Sequence, residues 1–379
     1  MNNVPNASKI TLIVPTMNRS DFVIRLLRYY DSLNFKHFIM IGDSSNHEEF
    51  NKTNHVVREI KGRLNVEHFH CPDLTNYAVT YKLIQNVSTS YSAFMPDDDF
   101  LVPDSIEKLI VFMDKHSDYS CAWGKTILFT LQEHGAYGLI RSLGPNNQAT
   151  HSSIEGNSAK ERLFAHINNY TSVFIGVCRT KMFEKALRNS MEMNSTGNMS
   201  DNTWWTAQAF GERLTSYSLV LQGKIKSFDC LYWVRQSHDQ RYLFNDTFDW
   251  LTSTNWLSCY NMAALQIKED IIENDGIDEE SAGNIVKHVF WDSLSKDINR
   301  GHNRYYGNNR DGIFRRIKNI ANQIPFLRSA NNVLRSVFCS SKDLSLPVLL
   351  NKRSLYHDDF MPVYLAITAP FENNKELLS

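Results

Sequence analysis

The sequence predicts an α/β fold in which helices flank a mostly parallel β-sheet. Short, continuous apolar runs alternate with helically spaced segments through the first third of the chain, and acidic side chains follow two of these runs. A continuous apolar run rich in β-branched residues is typical of a strand that is buried on both faces, as in a parallel sheet. Alternation of such strands with helices indicates crossover connections.

The N-terminal elements follow in order. Apolar runs predict four buried strands, at Lys9–Pro15, Phe38–Ile41, Asn65–His70 and Tyr91–Met95. Helical spacing of the apolar residues predicts three helices, at Ser20–Leu33, Asn76–Asn86 and Ser105–His116. In such sheets, ligands bind at the carboxyl ends of the strands.

The middle of the chain is mixed and the remainder is helical. Further strands are predicted at Gly124–Phe129, Ala136–Arg141, Tyr170–Cys178 and Lys224–Trp233, and helices at Lys181–Asn189, Asp201–Ala209, Trp250–Asp270 and Glu279–Lys296. We therefore expect an α/β domain over residues 1–245 and a mainly helical region over residues 246–379.

The composition argues against several classes of protein, namely nucleic-acid-binding, secreted and membrane-spanning proteins. The 379 residues carry a net charge of −1, so a strongly basic nucleic-acid-binding face is not expected. We predict neither a signal peptide at the polar N-terminus nor a membrane-spanning apolar stretch. The six cysteines are scattered without a CxxC pair, which suits a reducing cytosol. The expected location is cytoplasmic.

Three consecutive acids, Asp97, Asp98 and Asp99, follow the predicted strand Tyr91–Met95. Like charges this close repel one another, so a compensating group is expected. A divalent cation such as Mg²⁺ or Mn²⁺ provides one, because hard cations prefer oxygen ligands. A solvated acidic turn is the alternative. Asp43 also follows a predicted strand, which favours a shared site.

A basic amphipathic helix is predicted within residues 299–336, where an apolar stripe runs beside several arginines. This pattern suits peripheral contact with an anionic membrane surface. Packing on the catalytic domain with a solvated basic face is the alternative.

Four motifs in this order resemble the family 2 inverting glycosyltransferases of the GT-A fold. They are Val14–Arg19, Ile39–Ser45, the DXD-type acidic motif Pro96–Pro103, and Asn198–Trp205. Two positions depart from the family pattern, since Pro96 and Ser200 stand where many members carry acids.

The resemblance implies roles for individual residues. Asp43 would bind the nucleobase of the donor, Asp97 would lie near the ribose, and Asp98 would bind the metal. Asp99 would be a second metal ligand or would orient one, and which two of the three acids bind metal stays open. Residues lining the nucleotide pocket would be Thr16, Asn18 and Arg19.

The later motifs would serve the acceptor side and the diphosphate. Asp201 would be the general base, although it is also a plausible helix N-cap. Trp204 and Trp205 would offer a sugar-stacking platform or pack in the core. Arg235 would contact the diphosphate, and His238 would complete the metal shell or lie on the surface.

The leading interpretation is a metal-dependent inverting glycosyltransferase of surface polysaccharide synthesis. It would move a sugar from a nucleotide-sugar donor, with a UDP-sugar favoured, to a glycan or lipid-linked acceptor. A sugar-nucleotide nucleotidyltransferase is an alternative, but the loop Pro15–Arg19 has no glycine for a triphosphate. A catalytically degenerate GT-A protein that binds glycans or acts as a scaffold is the other.

Overall fold

The computed structural model describes residues 8–145, 152–194, 203–239, 247–254, 256–306 and 344–376. Within these residues the chain forms an α/β structure around one nine-stranded sheet. The predicted α/β class is confirmed.

The strands, in chain order, are β1 (Ile10–Thr16), β2 (Phe38–Asp43), β3 (Val66–His70), β4 (Tyr91–Phe94), β5 (Phe100–Leu101), β6 (Tyr119–Leu131), β7 (Ile140–Pro145), β8 (Val177–Arg179) and β9 (Lys224–Gln236). Their order in the sheet is β3-β2-β1-β4-β8-β6-β9-β5, with β7 paired to β6. The pairings of β1 with β2 and β4, of β2 with β3, and of β6 with β9 are parallel. Strands β5, β7 and β8 run antiparallel to their neighbours.

The helices, in chain order, are α1 (Ser20–Ser32), α2 (His47–Glu59), α3 (Asn76–Ile84), α4 (Pro103–Lys115), α5 (Ala159–Asn168), α6 (Thr180–Asn194), α7 (Thr203–Gln222), α8 (Thr247–Leu251), α9 (Trp256–Asp275), α10 (Glu279–Tyr306), α11 (Leu346–Leu349) and α12 (His357–Glu376). Helices α2, α5, α11 and α12 were not among the individually predicted helices.

Two apolar cores organise the described residues. The larger one surrounds the sheet and includes Tyr356, Phe360 and Val363, so the C-terminal segment packs against the sheet. The smaller one joins α5 and α7 to α9 and α10. The division of the chain at residue 245 stays a prediction.

Three element predictions were wrong in detail. The predicted strand Tyr170–Cys178 is a short 3₁₀ helix, Val173–Ile175, followed by β8. The partner of β6 begins at Ile140 rather than Ala136. The predicted helix Trp250–Asp270 is divided between α8 and α9. At Tyr170–Cys178 the apolar pattern located buried chain but did not distinguish a strand from another compact conformation, and in the other two cases it did not fix where the element begins or breaks.

Candidate active site

The carboxyl ends of β1, β2 and β4 bring several of the predicted residues to one edge of the sheet. Thr16, the last residue of β1, is in register with Asp43, the last residue of β2. Strand β4 pairs with β1 on its other side and leads into Asp97, Asp98 and Asp99. All three aspartates are buried. A parallel arrangement therefore places residues about 80 positions apart at a common edge.

Asp97 is held by the end of β1 and the loop after it. The hydroxyl of Thr16 donates a hydrogen bond of 2.7 Å to Asp97 Oδ2. Arg19 Nη1 lies 3.3 Å from Asp97 Oδ1. Burial raises the pKa of Asp97 to about 6, against the opposing effect of the Arg19 guanidinium. Thr16 and Arg19, two of the three residues expected to line the nucleotide pocket, thus contact the acidic motif.

Asp98 is the point at which three distant segments meet. Arg19 Nη1 donates to Asp98 Oδ2 at 3.0 Å, and His238 Nε2 donates to the same oxygen at 2.8 Å. The imidazole of His238 is held in place by stacking on Phe22, with ring centroids 4.6 Å apart. Its side chain is only 4% exposed, so His238 is not a surface residue.

Asp99 points toward β9 and is held by it. Trp233 Nε1 donates to Asp99 Oδ2 and the backbone N–H of Gln236 donates to Asp99 Oδ1, each at 2.9 Å. Arg235 Nε lies 3.7 Å from Asp99 Oδ2, with its guanidinium over the Trp233 ring. The two carboxylate oxygens therefore already serve to anchor the acidic turn to β9.

Arg25 lies beneath the acidic turn and was missed by the sequence analysis. Its guanidinium, on α1, is fully buried and donates to the backbone carbonyls of Asp98 and Ala136 and to Gln236 Oε1. Burial lowers its pKa to about 10, so the group stays a cation at neutral pH. The sequence signal that could have identified Arg25 is its position on the apolar face of α1, between Phe22 and Leu26.

Asp43 has a buried histidine as its partner, which was also missed. Asp43 Oδ1 accepts from the backbone N–H of Ser45, and Asp43 Oδ2 accepts from His68 Nε2, both at 2.9 Å. The His68 ring stacks on Phe50 at 4.4 Å. The sequence around His68 carries no local signal that its ring would reach Asp43.

Asn18 shapes the loop between β1 and α1. Its φ of +54° is left-handed, a conformation that asparagine adopts more readily than most residues. Its backbone N–H donates to Ser45 Oγ at 2.6 Å, and its side-chain oxygen accepts from Asn46 N at 3.0 Å. Asn18 therefore connects the loops after β1 and β2, and its side chain is exposed.

Three of the predicted residues have side chains beyond the described part of the chain. Asp201 lies outside the described residues, and so does most of the predicted basic helix, from residue 307 onward. Trp204 and Trp205 belong to the first turn of α7, and the structure describes the helix there but not these side chains. Their roles stay predictions.

The carboxylates at this site suit a hard divalent cation that takes its remaining ligands from a bound phosphate and from water. The described residues contain no group of three or more His, Cys, Asp or Glu side chains arranged to hold a metal ion. His238 Nε2 lies 2.8 Å from Asp98 Oδ2. The carboxylate is a ligand that Mg²⁺ and Mn²⁺ prefer, whereas an imidazole is better suited to softer transition-metal ions. Such cations often take one or two protein ligands and complete their shell with phosphate oxygens and water.

Comparison with known proteins relates the fold to solved structures. No family model matches this sequence, and no curated protein matches it. Crystal structures of S. aureus TarS do match in fold. TarS 1–349 in complex with UDP-GlcNAc superposes with a TM-score of 0.51 at 14% identity, covering 79% of this chain and 76% of that chain.

This chain has a GT-A-like glycosyltransferase fold. TarS 1–349 alone gives a TM-score of 0.50 at 14% identity, covering 78% of this chain and 74% of that one. The longer TarS structure gives a TM-score of 0.50 at 16% identity. The match covers 78% of this chain and 45% of that chain. Within the ranges the structure describes, no helix has the length and apolar character needed to cross a membrane.

Proposed function

We propose that this protein is a metal-dependent, inverting glycosyltransferase of family 2 that takes its sugar from a UDP-sugar. The observation that carries the proposal is the convergence on Asp98 Oδ2. Arg19, from the loop after β1, and His238, from the end of β9, reach the same carboxylate oxygen at 3.0 and 2.8 Å. The guanidinium and the imidazole meet a buried carboxylate at the carboxyl ends of the parallel strands, which is where ligands bind in such sheets.

The donor would lie along the carboxyl ends of β1, β2 and β4. Asp43 would accept from the nucleobase, with Thr16 and Asn18 lining the same pocket and Asp97 near the ribose. The likeness of the fold to TarS, which has been crystallised with UDP-GlcNAc, supports a UDP-sugar donor. Arg235, which is 22% exposed, would reach the diphosphate from β9.

Asp98 and His238 would hold the divalent cation. When bound, the cation neutralises charge on the diphosphate and favours its departure. Asp99 would orient Asp98 rather than bind the cation, because its two oxygens accept from Trp233 and Gln236. Arg25 would fix the backbone of the turn through the carbonyl of Asp98.

Asp201 would act as the general base. It would take the proton of the acceptor hydroxyl while that oxygen forms a bond to the anomeric carbon, and the bond to the diphosphate would break on the opposite face. One displacement inverts the anomeric centre. The acceptor, a glycan or lipid-linked glycan of surface polysaccharide synthesis, would be bound by Trp204, Trp205 and the region 246–379.

The test is a thermal-shift titration with UDP, GDP, CDP and dTDP, each with and without Mn²⁺ or Mg²⁺. A ligand that binds only the native state raises the melting temperature by mass action. We expect a shift with UDP that requires the metal and is absent from Asp98→Asn. A matched Asp104→Asn variant, in the first turn of α4, should keep the shift. Absence of any nucleotide-dependent shift in the folded wild type would contradict the proposal.

A further inference from the structure

Two basic side chains meet one carboxylate oxygen at the acidic turn. Arg19 Nη1 donates to Asp98 Oδ2 at 3.0 Å, and His238 Nε2 lies 2.8 Å from the same oxygen. A carboxylate oxygen has two lone pairs with which to accept hydrogen bonds. Both are engaged in this arrangement, so a cation that binds Asp98 Oδ2 must replace one of the two side chains.

Arg19 also serves a second carboxylate. Its Nη1 lies 3.3 Å from Asp97 Oδ1, so one nitrogen bridges Asp97 and Asp98. The side chains of these two aspartates are only 3% and 7% exposed. Like charges this close repel each other, and the repulsion is strongest where water does not screen it. The guanidinium of Arg19 therefore supplies positive charge that this pair of acids needs.

The two side chains at Asp98 Oδ2 are not held equally firmly. The ring of His238 stacks on Phe22, and its side chain is 4% exposed. The side chain of Arg19 is 13% exposed, which is more than that of His238, Asp97 or Asp98. Arg19 thus lies on the solvent side of the acids, from which a ligand arrives, and it is the donor that can leave Asp98.

The backbone of Arg19 is fixed at the start of α1. Its carbonyl accepts from the backbone N–H groups of Phe22 and Val23, at 3.1 and 3.3 Å. The backbone N–H of the preceding residue, Asn18, donates to Ser45 Oγ at 2.6 Å. A long side chain on a fixed backbone exchanges partners by rotation about its own bonds. A change of partner by Arg19 therefore requires no change in the fold.

A diphosphate is a suitable second partner for this guanidinium. Arginine forms bidentate, charge-assisted hydrogen bonds to phosphate as it does to carboxylate. Arg19 lies in the loop between β1 and α1, beside the strand ends along which the donor is proposed to lie. A donor bound there would bring its diphosphate to the side chain that covers the acids.

We infer that Arg19 is a built-in counter-ion, which competes with a divalent cation for Asp98 Oδ2 and passes to the diphosphate of the donor when that cation binds. The identity of these ligands rests on the proposed glycosyltransferase function. The competition itself rests on the contacts of Arg19 with Asp97 and Asp98. Because the diphosphate draws Arg19 away from Asp98, nucleotide and cation should each strengthen the binding of the other.

The test measures the binding of Mn²⁺ alone to the full chain at pH 7.5, by electron paramagnetic resonance of the free ion. Arg19→Met removes the guanidinium and keeps an unbranched side chain. We expect the variant to bind Mn²⁺ about tenfold more tightly than the wild type, because only the wild type must break a hydrogen bond between charged groups. A residue that merely supports the site would show the opposite sign, since its loss would loosen the site.

Arg235→Met is the matched control for a general effect of charge. Arg235 also lies beside an acid of the turn, with its Nε 3.7 Å from Asp99 Oδ2. Its replacement removes the same charge at a different carboxylate, so we expect a much smaller gain in affinity for Mn²⁺. Equal gains in the two variants would show general electrostatics rather than competition at Asp98 and would overturn the inference.

Arg19→Lys keeps the experiment decisive if Arg19→Met does not fold. The ammonium keeps the charge, but it is more strongly hydrated than a guanidinium and lacks its planar fork. It should therefore release Asp98 more readily, and we expect Mn²⁺ to bind about threefold more tightly than to the wild type. Unchanged or weaker binding of Mn²⁺ by the folded Arg19 variants would overturn the inference.

Titrations of the same samples with UDP separate this inference from the proposed function. A metal-dependent UDP shift in the wild type, with unchanged Mn²⁺ affinity in Arg19→Met, would overturn the counter-ion role and leave the glycosyltransferase proposal standing. Tighter Mn²⁺ binding by Arg19→Met, without a UDP shift in the wild type, would support the competition at Asp98 and remove the passage of Arg19 to a diphosphate.

Discussion

Arg25 Nη2 donates a hydrogen bond of 2.7 Å to the backbone carbonyl of Asp98. A buried cation therefore holds the turn that carries three buried carboxylates, and it does so without occupying the carboxylate of Asp98. The same guanidinium donates to the side-chain oxygen of Gln236. The backbone N–H of Gln236 in turn donates to Asp99. Helix α1, the acidic turn and the end of β9 are joined through one side chain.

Arg25→Met should destabilise the protein by about 3 kcal/mol, because it leaves buried carbonyl and amide oxygens without a donor. Chemical denaturation in urea, with the midpoint and slope compared to wild type, measures the change. Arg28→Met is the matched control on the same helix. Arg28 is half-exposed and paired with Glu59, so its loss should cost no more than about 0.5 kcal/mol. Equal losses in the two variants would contradict the role of Arg25.

Asp98→Asn should impair nucleotide binding, whereas Asp99→Asn should impair folding stability. Asp98→Asn should remove metal-dependent nucleotide binding with little loss of stability. Asp99→Asn should lower stability by about 1–3 kcal/mol, because an amide cannot accept both from Trp233 and from Gln236. Nucleotide-dependent thermal shifts and urea denaturation, measured on both variants, separate binding from folding. If Asp99→Asn kept full stability but lost metal dependence, Asp99 would be the ligand.

His166 should make stability depend on pH. Burial lowers its pKa from 6.5 to about 4, so the unfolded chain binds a proton that the folded protein does not. Stability is then fully present above pH 6.5 and is lost as the pH falls toward 4, by up to about 3 kcal/mol. His166→Gln can keep a donor toward the carbonyl of Thr171. Between pH 7.5 and pH 4.5 the unfolding free energy of the wild type should fall by about 2–3 kcal/mol more than that of His166→Gln, with most of the difference appearing below pH 6.

Asp201→Ala should abolish sugar transfer while leaving nucleotide binding intact, since the base acts on the acceptor. Product formation with a radiolabelled donor, alongside the UDP thermal shift, measures both properties. Slow hydrolysis of the donor by water should persist at a similar rate if only acceptor activation is lost. Near-normal transfer by the variant would show that another group is the base.

Some of the site was readable from local pattern alone. The acids were found because carboxylates directly after an apolar strand are unusual, whereas Thr16 and Arg19 were assigned only through the resemblance to a glycosyltransferase family. Arg25 was missed because the apolar residues around it predict a buried helix face but do not indicate what a cation on that face would bind. His68 was missed because nothing local indicates that its ring reaches Asp43.

By itself, the sequence determined the α/β class, the order of the N-terminal elements and the strand ends that carry polar residues, because these depend on periodicity within a few residues. Only the tertiary structure decided which of those residues meet. His238 reaches Asp98 from 140 positions away, and Asp99 turns to Trp233 and Gln236. Such contacts depend on the pairing of β9 with β5 and β6, and on the packing of α1 beneath the turn, neither of which leaves a local mark in the sequence.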